Sequence, residues 1–183
     1  MNRDEALKAI REKVKNENLI RHMLATEAIM RALAKRFGGD EEEWGIAGLL
    51  HDIDVEVVDN DMKEHSKVGA DLVRQLGASE AIAHSILTHN EAHGVPTTTN
   101  MDKALFCADP LTGLITASAL VRPEKKLAAV EAKSVRKRFK EKSFAAGANR
   151  ENIATCSNFG IELDEFIDLA LKAMQGIAGD LGL

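Results

Sequence analysis

Aromatic residues are scarce: the 183-residue chain has no tyrosine, one tryptophan and six phenylalanines. A core built on large rings is therefore excluded, and Ala, Leu, Ile and Val must fill the interior, a composition that favours packed helices. Cysteine is scarce too. Cys107 and Cys156 lie far apart and match neither a paired redox motif nor a zinc knuckle, so a reducing interior is the default. No apolar run approaches the ~20 residues that cross a bilayer, and the amino terminus, MNRDEALKAI, is charged from its third residue with no apolar signal-peptide segment. These absences lead us to expect a soluble cytoplasmic protein without a membrane partner. Basic excess is also missing. With 24 Lys and Arg against 29 Asp and Glu, the balance argues against a general nucleic-acid binder, and no nucleic-acid partner is expected.

What is present is helical periodicity, nearly continuous and broken by short turn signals. The length suits one domain that buries roughly two thirds of its surface. Gly38 and Gly39 stop the helix that carries His22. Asp40 is the expected N-cap of the next, with Glu43 as its capping-box partner, and that helix ends at His51 and Asp52. A polar stretch from Asp54 to Asp61 follows, in which Val55, Val57 and Val58 read as a short extended piece. A helix from about Glu64 to Leu76 ends at Gly77, and Ser79 caps another. The segment NEAHGVPTTTN is the best loop candidate. Helices resume beyond Met101, and the last long one, from about Glu162, places Leu163, Phe166, Ile167, Ala170, Leu171, Met174, Ile177 and Leu181 on one face. That stripe packs on the bundle or forms a homodimer interface.

The histidines are not scattered. His22 continues the stripe Ala25, Ile29, Ala32, Leu33; His51 closes Trp44, Ala47, Gly48; His65 leads Val68, Gly69, Leu72, Val73, Leu76; His89 closes Ile82, Ile86. His84 and His93 fall outside such stripes. A single inward histidine is usually a hydrogen-bonded core residue. Four of them beside an aspartate read as a buried metal site assembled from several helices, because ligating imidazoles need a dry, shaped cavity.

The motifs resemble the HD superfamily of metal-dependent phosphohydrolases. The likeness rests on His22 in RHMLATEAIM, His51 and Asp52 in AGLLHDID, and Asp109 in LFCADPLTGL. Two further segments, EHSKVGADLV and THNEAHG, are similar to the six-ligand members that hold two metals. It covers about residues 20–120, and it implies an all-α, HD-type helical bundle spanning 1–183, with additional C-terminal helices from about 121 to 183. By that resemblance, one metal is held by His22, His51, Asp52 and Asp109 and the other by Asp52, His65 and His89. Two divalent ions are thus expected, iron or manganese foremost, with Zn, Co, Ni or Mg compatible with nitrogen and oxygen donors. Asp109 precedes Pro110, which also suits a helix N-cap.

The implied activity is attack by metal-activated hydroxide on a phosphoester or phosphoanhydride of a nucleotide or similar small phosphorylated metabolite. A sensory module that binds nucleotide or phosphate without turnover is the alternative, because relatives reading HDIGK carry a lysine that this chain, reading HDIDV, lacks. Asp52, Asp54 and Glu91 are the candidate catalytic carboxylates, the last two as proton donors. Candidate phosphate contacts are Lys103, Arg122 and Arg150, and the basic face of Lys133, Arg136, Lys137 and Lys140.

Overall fold

The computed structural model describes residues 1–183 and is built of helices alone. They are α1 (Arg3–Lys13), α2 (Glu17–Phe37), α3 (Glu41–Leu50), α4 (Lys67–Gln75), α5 (Glu80–His89), α6 (Asn100–Leu120), α7 (Ala132–Lys140), α8 (Arg150–Ala154), α9 (Leu163–Gly176) and α10 (Ala178–Leu181). Short 3₁₀ turns at Glu91–His93, Leu127–Ala129 and Thr155–Phe159 join them. No helix is long and apolar enough to cross a membrane.

Local chemistry explains the boundaries. α2 ends where Gly38 adopts φ 70°, a left-handed conformation that costs glycine little. Asp40 caps α3 by accepting from the backbone N–H groups of Glu42 and Glu43. The Glu43 carboxylate does not complete a capping box; it accepts instead from the Ser79 hydroxyl at 2.6 Å, tying α3 to the start of α5. α6 carries a true capping box between Thr99 and Asp102.

The apolar faces meet in one cluster of buried side chains that runs from Ala6 to Leu181 and includes Met23, Leu49, Ile86, Leu105, Val135 and Phe166. α2 packs against α3, α6 and α9, so it lies at the centre of the bundle. Gly48 lets the α2 backbone approach α3 closely: a Cβ there would lie 2.9 Å from the Thr26 carbonyl oxygen. This contact brings the first turns of α2 beside the end of α3, where the candidate histidines sit.

Two expectations need correction here. The Val55–Val58 stretch is not extended but a succession of turns closed by backbone bonds such as Val58 N–H to Asp54 O at 2.9 Å. α4 begins at Lys67, so His65 precedes the helix. The amphipathic face of α9 packs on the bundle, the first of its two expected roles: Phe166, Ile167, Ala170 and Met174 are buried where α9 meets α2, α6 and α7.

Candidate metal centre

Four imidazoles form a continuous train. Ring centroids are 5.0 Å apart for His22 and His51, 5.1 Å for His51 and His89, and 5.0 Å for His89 and His65, each pair edge to face. Each ring is oriented through Nδ1. His51 Nδ1–H donates to the Gly48 carbonyl at 2.8 Å, and His89 Nδ1–H to the Ile86 carbonyl at 2.5 Å. His65 Nδ1–H donates to Asp54 at 2.8 Å. The Thr112 hydroxyl donates to the Asp109 carbonyl at 2.7 Å, which leaves its oxygen to accept from His22 Nδ1–H at 2.8 Å. With every Nδ1 engaged as a donor, every Nε2 turns inward as a potential metal donor.

Asp52 lies in the middle of this train. Its Oδ2 is 3.5 Å from His22 Nε2 and 3.3 Å from His51 Nε2, while its Oδ1 is 3.4 Å from His65 Nε2 and 3.6 Å from His89 Nε2. Asp109 Oδ1 joins the first group, 3.0 Å from His22 Nε2 and 3.7 Å from His51 Nε2. His22, His51 and Asp109 have ligand atoms mutually within 4.8 Å, as do His51, Asp52 and His89. The donor set tests well for a cation: His22 Nε2 and His51 Nε2 are 3.1 Å apart, a separation at which two neutral lone pairs repel unless a proton or a metal ion lies between them. All six sequence candidates for ligation thus converge from α2, the end of α3, the turns after it, α5 and α6.

Charge follows from this crowding. Burial disfavours a charged His22, but the hydrogen bonds its protonated ring donates to the Asp109 and Asp52 carboxylates outweigh it and lift its pKa to about 9. His51 is likewise raised against its burial by the Asp52 charge. Burial also opposes ionisation of Asp52 and Asp109, yet the neighbouring histidines hold both well below the usual carboxylate range. Without metal, protons occupy the places between donors.

The other candidates separate. Asp54 is fully buried; besides His65 it accepts from the backbone N–H groups of Ser66 and Gly69, both at 2.7 Å. It therefore orients His65 and does not face the cavity as a proton donor. Those bonds hold Ser66 at φ 70°, a conformation strained for a residue with a side chain. Glu91 is exposed beside a cavity shared with His65, His89 and Asp109, and accepts from Asn149 Nδ2 at 3.4 Å. Asp109 is no N-cap: it sits in the middle of α6, with Pro110 inside the helix. Lys103 borders a separate cavity with Glu91 and Phe106.

Arg136 is committed elsewhere, paired with Asp164 at 3.1 Å and Asp168 at 2.6 Å. Its face, with Lys133 and Lys137, belongs to α7, which packs on α6 and α9. Arg122 points toward Ser134, and Arg150 donates to the carbonyls of Ala145 and Ala148, both at 2.7 Å, and to that of Phe144. Both residues stabilise the C-terminal segment. Sequence reasoning missed Thr112, the partner of His22, whose signal is its position three residues after Asp109. It also missed Asn90 and His93, which donate to the His65 carbonyl at 3.1 and 2.6 Å, and Arg21, adjacent to His22.

Comparison with known proteins bears on the same region. Residues 19–144 match the HD domain family. The chain is 34% identical over 99 residues to Ribonuclease Y of Oleidesulfovibrio alaskensis, covering 54% of this chain and 18% of that protein. It is 30% identical over 155 residues to Ribonuclease Y of Sulfurovum sp., 83% of this chain and 28% of that one. To Ribonuclease Y of Pelobacter propionicus it is 36% identical over 76 residues, 41% and 14% respectively. The chain thus spans less than a third of the length of these curated relatives. No solved structure matches. Relatives named as ribonucleases overturn the expectation of a small phosphorylated substrate with no nucleic acid.

Proposed function

Because this chain belongs to the HD domain family, the superfamily of metal-dependent phosphohydrolases that its motifs resemble, we propose that it hydrolyses phosphodiester bonds of RNA at a two-metal centre in a cytoplasmic setting. Asp52 carries this reading: its two carboxylate oxygens face two different pairs of histidines, at 3.3–3.5 Å and 3.4–3.6 Å, as a carboxylate shared between two ions requires. His22, His51, Asp52 and Asp109 would hold one ion, and Asp52, His65 and His89 the other. Imidazole and carboxylate without thiolate suit iron, manganese, zinc, cobalt or nickel alike, and the choice of iron or manganese comes from the family resemblance. When bound, such cations supply an acidified water and neutralise charge on the phosphoryl oxygens.

The protein's own part is to fix the donors and hold the substrate. Hydrogen bonds at every Nδ1 lock the rings and keep Nε2 available, with Asp54 fixing the orientation of His65. Glu91, at the mouth of the cavity by His65 and His89, is the group we assign to protonate the leaving oxygen. The RNA assignment draws on the relatives' name, and the metal assignment on the donor geometry.

The test is direct. The chain is stripped with chelator, reloaded with Mn or Fe, assayed for metal content, and offered labelled RNA, DNA and mononucleotides. Metal-dependent cleavage of RNA above the others is expected; absence of metal-dependent RNA cleavage with every ion tried would overturn the proposal.

A further inference from the structure

Cavities open at both ends of the imidazole train. Beyond His22, a cavity of about 480 Å³ lies between α2 and α6 and is closed on a third side by Leu181, Gly182 and Leu183, with Arg21, Gly113, Thr116 and Leu120 on its other walls. Beyond His65 and His89, one of about 240 Å³ is bordered by Asp109, Asn149 and Phe106. A phosphomonoester needs room on one side of phosphorus, whereas an internal phosphodiester needs it on both. The larger cavity falls in the range of small-ligand sites, about 300–1,000 Å³.

Its cation is not held in an ion pair, a property Arg21 shares with Arg11, Arg122 and Arg150 and not with the other six arginines. Arg3 and Arg31 hold Glu27, Arg36 holds Glu165, Arg74 holds Glu80, Arg136 holds Asp164 and Asp168, and Arg138 holds Glu141. Arg21 is exposed, engages no carboxylate, and stands next to His22 with its guanidinium alongside Gly182. A planar guanidinium suits bidentate contact with a phosphate. Gly113 keeps the α6 wall open, since a Cβ there would meet nothing within 4 Å.

We infer that the cavity between α2 and α6 is the subsite for the nucleotide on one side of the scissile bond. Arg21 grips the neighbouring phosphate, and single-stranded RNA runs from there across the centre toward Asn149. This rests on the RNA phosphodiesterase reading above. Apart from His22, no aromatic ring lines the cavity, so it reads backbone and shape rather than stacking on bases, and cleavage tolerates any base on that side.

Two variants test it. Arg21→Ala removes the cation, and Gly113→Leu fills the cavity with a stronger helix former, so its fold is retained. Each is compared with wild type on a short labelled oligoribonucleotide and on a small aryl phosphodiester, and in equilibrium binding to an uncleavable phosphorothioate strand. Both variants should lose about tenfold in strand affinity and proportionately more kcat/KM on the oligonucleotide than on the aryl diester. Arg21→Ala should also lower the salt slope of binding by about one. Parallel losses on the two substrates, or unchanged strand binding in both variants, would overturn the inference. Binding is read apart from turnover. A strand bound in an Arg21- and Gly113-dependent way but never cleaved leaves the subsite standing and removes the phosphodiesterase reading; RNA cleaved with no dependence on either residue does the reverse.

Discussion

Asp54 accepts the Nδ1–H of His65 at 2.8 Å with one oxygen and two backbone N–H groups at 2.7 Å with the other. It thereby fixes both the tautomer of His65 and the strained backbone of Ser66. Asp54→Ala should leave His65 free to rotate and three buried donors unsatisfied. Metal affinity at the His65 end is expected to fall about 10–100-fold, and stability by about 1–3 kcal/mol for an unsatisfied buried donor. Elemental analysis and thermal melts read the two effects; unchanged metal retention would show that Asp54 does not orient His65.

Asp52 stands between two donor groups, so its loss differs from that of any histidine. Asp52→Ala should release both ions and abolish turnover. His65→Ala or His89→Ala should retain the ion at the His22 end, and Asp109→Ala the ion at the His65 end. Metal-to-protein ratios after gel filtration distinguish these cases. A ratio that stays near one in Asp52→Ala would rule out a shared carboxylate.

Helix periodicity made the inward placement of His22, His51 and His89 legible, since a buried histidine occupies a position that otherwise holds an apolar residue. His65 was legible only as a buried position, because its helix begins two residues later. Partners across elements left no local trace. Arg136 looked free because Asp164 and Asp168 are about 30 positions away in sequence, on another helix. Three valines in four residues suggested an extended piece, but Asp59 and Asn60 adopt φ 50° and 61° and close a turn. Net charge misled on partners because it sums the whole chain, whereas metal ions would supply the positive charge at a phosphodiester site.

The raised pKa of His22 gives the chelated protein a pH signature. The folded state binds this proton more tightly than the unfolded state, whose value is near 6.5, so the resulting stability is complete below pH 6.5 and is lost as pH rises toward about 9. Asp52 and Asp109 act at the other end, contributing above their ordinary value of 3.8 and losing that contribution as pH falls through their lowered values. The metal-free protein should therefore be most stable in mild acid. Bound metal reverses the upper limb, because ligation needs deprotonated imidazoles and strengthens with pH. Tm of chelated wild type minus that of chelated His22→Gln should shrink between pH 6.5 and 9, while the gap between loaded and chelated wild type widens. A flat difference across that window would contradict the proton assignment.

The junction of α2 and α3 offers a test of how packing sets the site. A Cβ at Gly48 would lie 2.9 Å from the Thr26 carbonyl oxygen, 2.9 Å from Met30 Cγ and 3.0 Å from the Glu27 nitrogen. Two of these are backbone atoms, so the helices themselves must separate. Overpacking of this kind costs about 1–3 kcal/mol, against at most about 1 kcal/mol gained in helix propensity. Gly48→Ala is therefore expected to lower Tm by a few degrees, at about 2–4 °C per kcal/mol for a chain of this size. Gly113→Ala, which meets no atom within 4 Å, should raise it. The Gly48 carbonyl also accepts His51 Nδ1–H, and Thr26 donates its hydroxyl to the His22 carbonyl at 3.0 Å, so separating the helices moves His22 and His51 apart. Gly48→Ala should then weaken metal binding at the His22 end more than at the His65 end, and equal weakening of both would place the control of ligand spacing elsewhere.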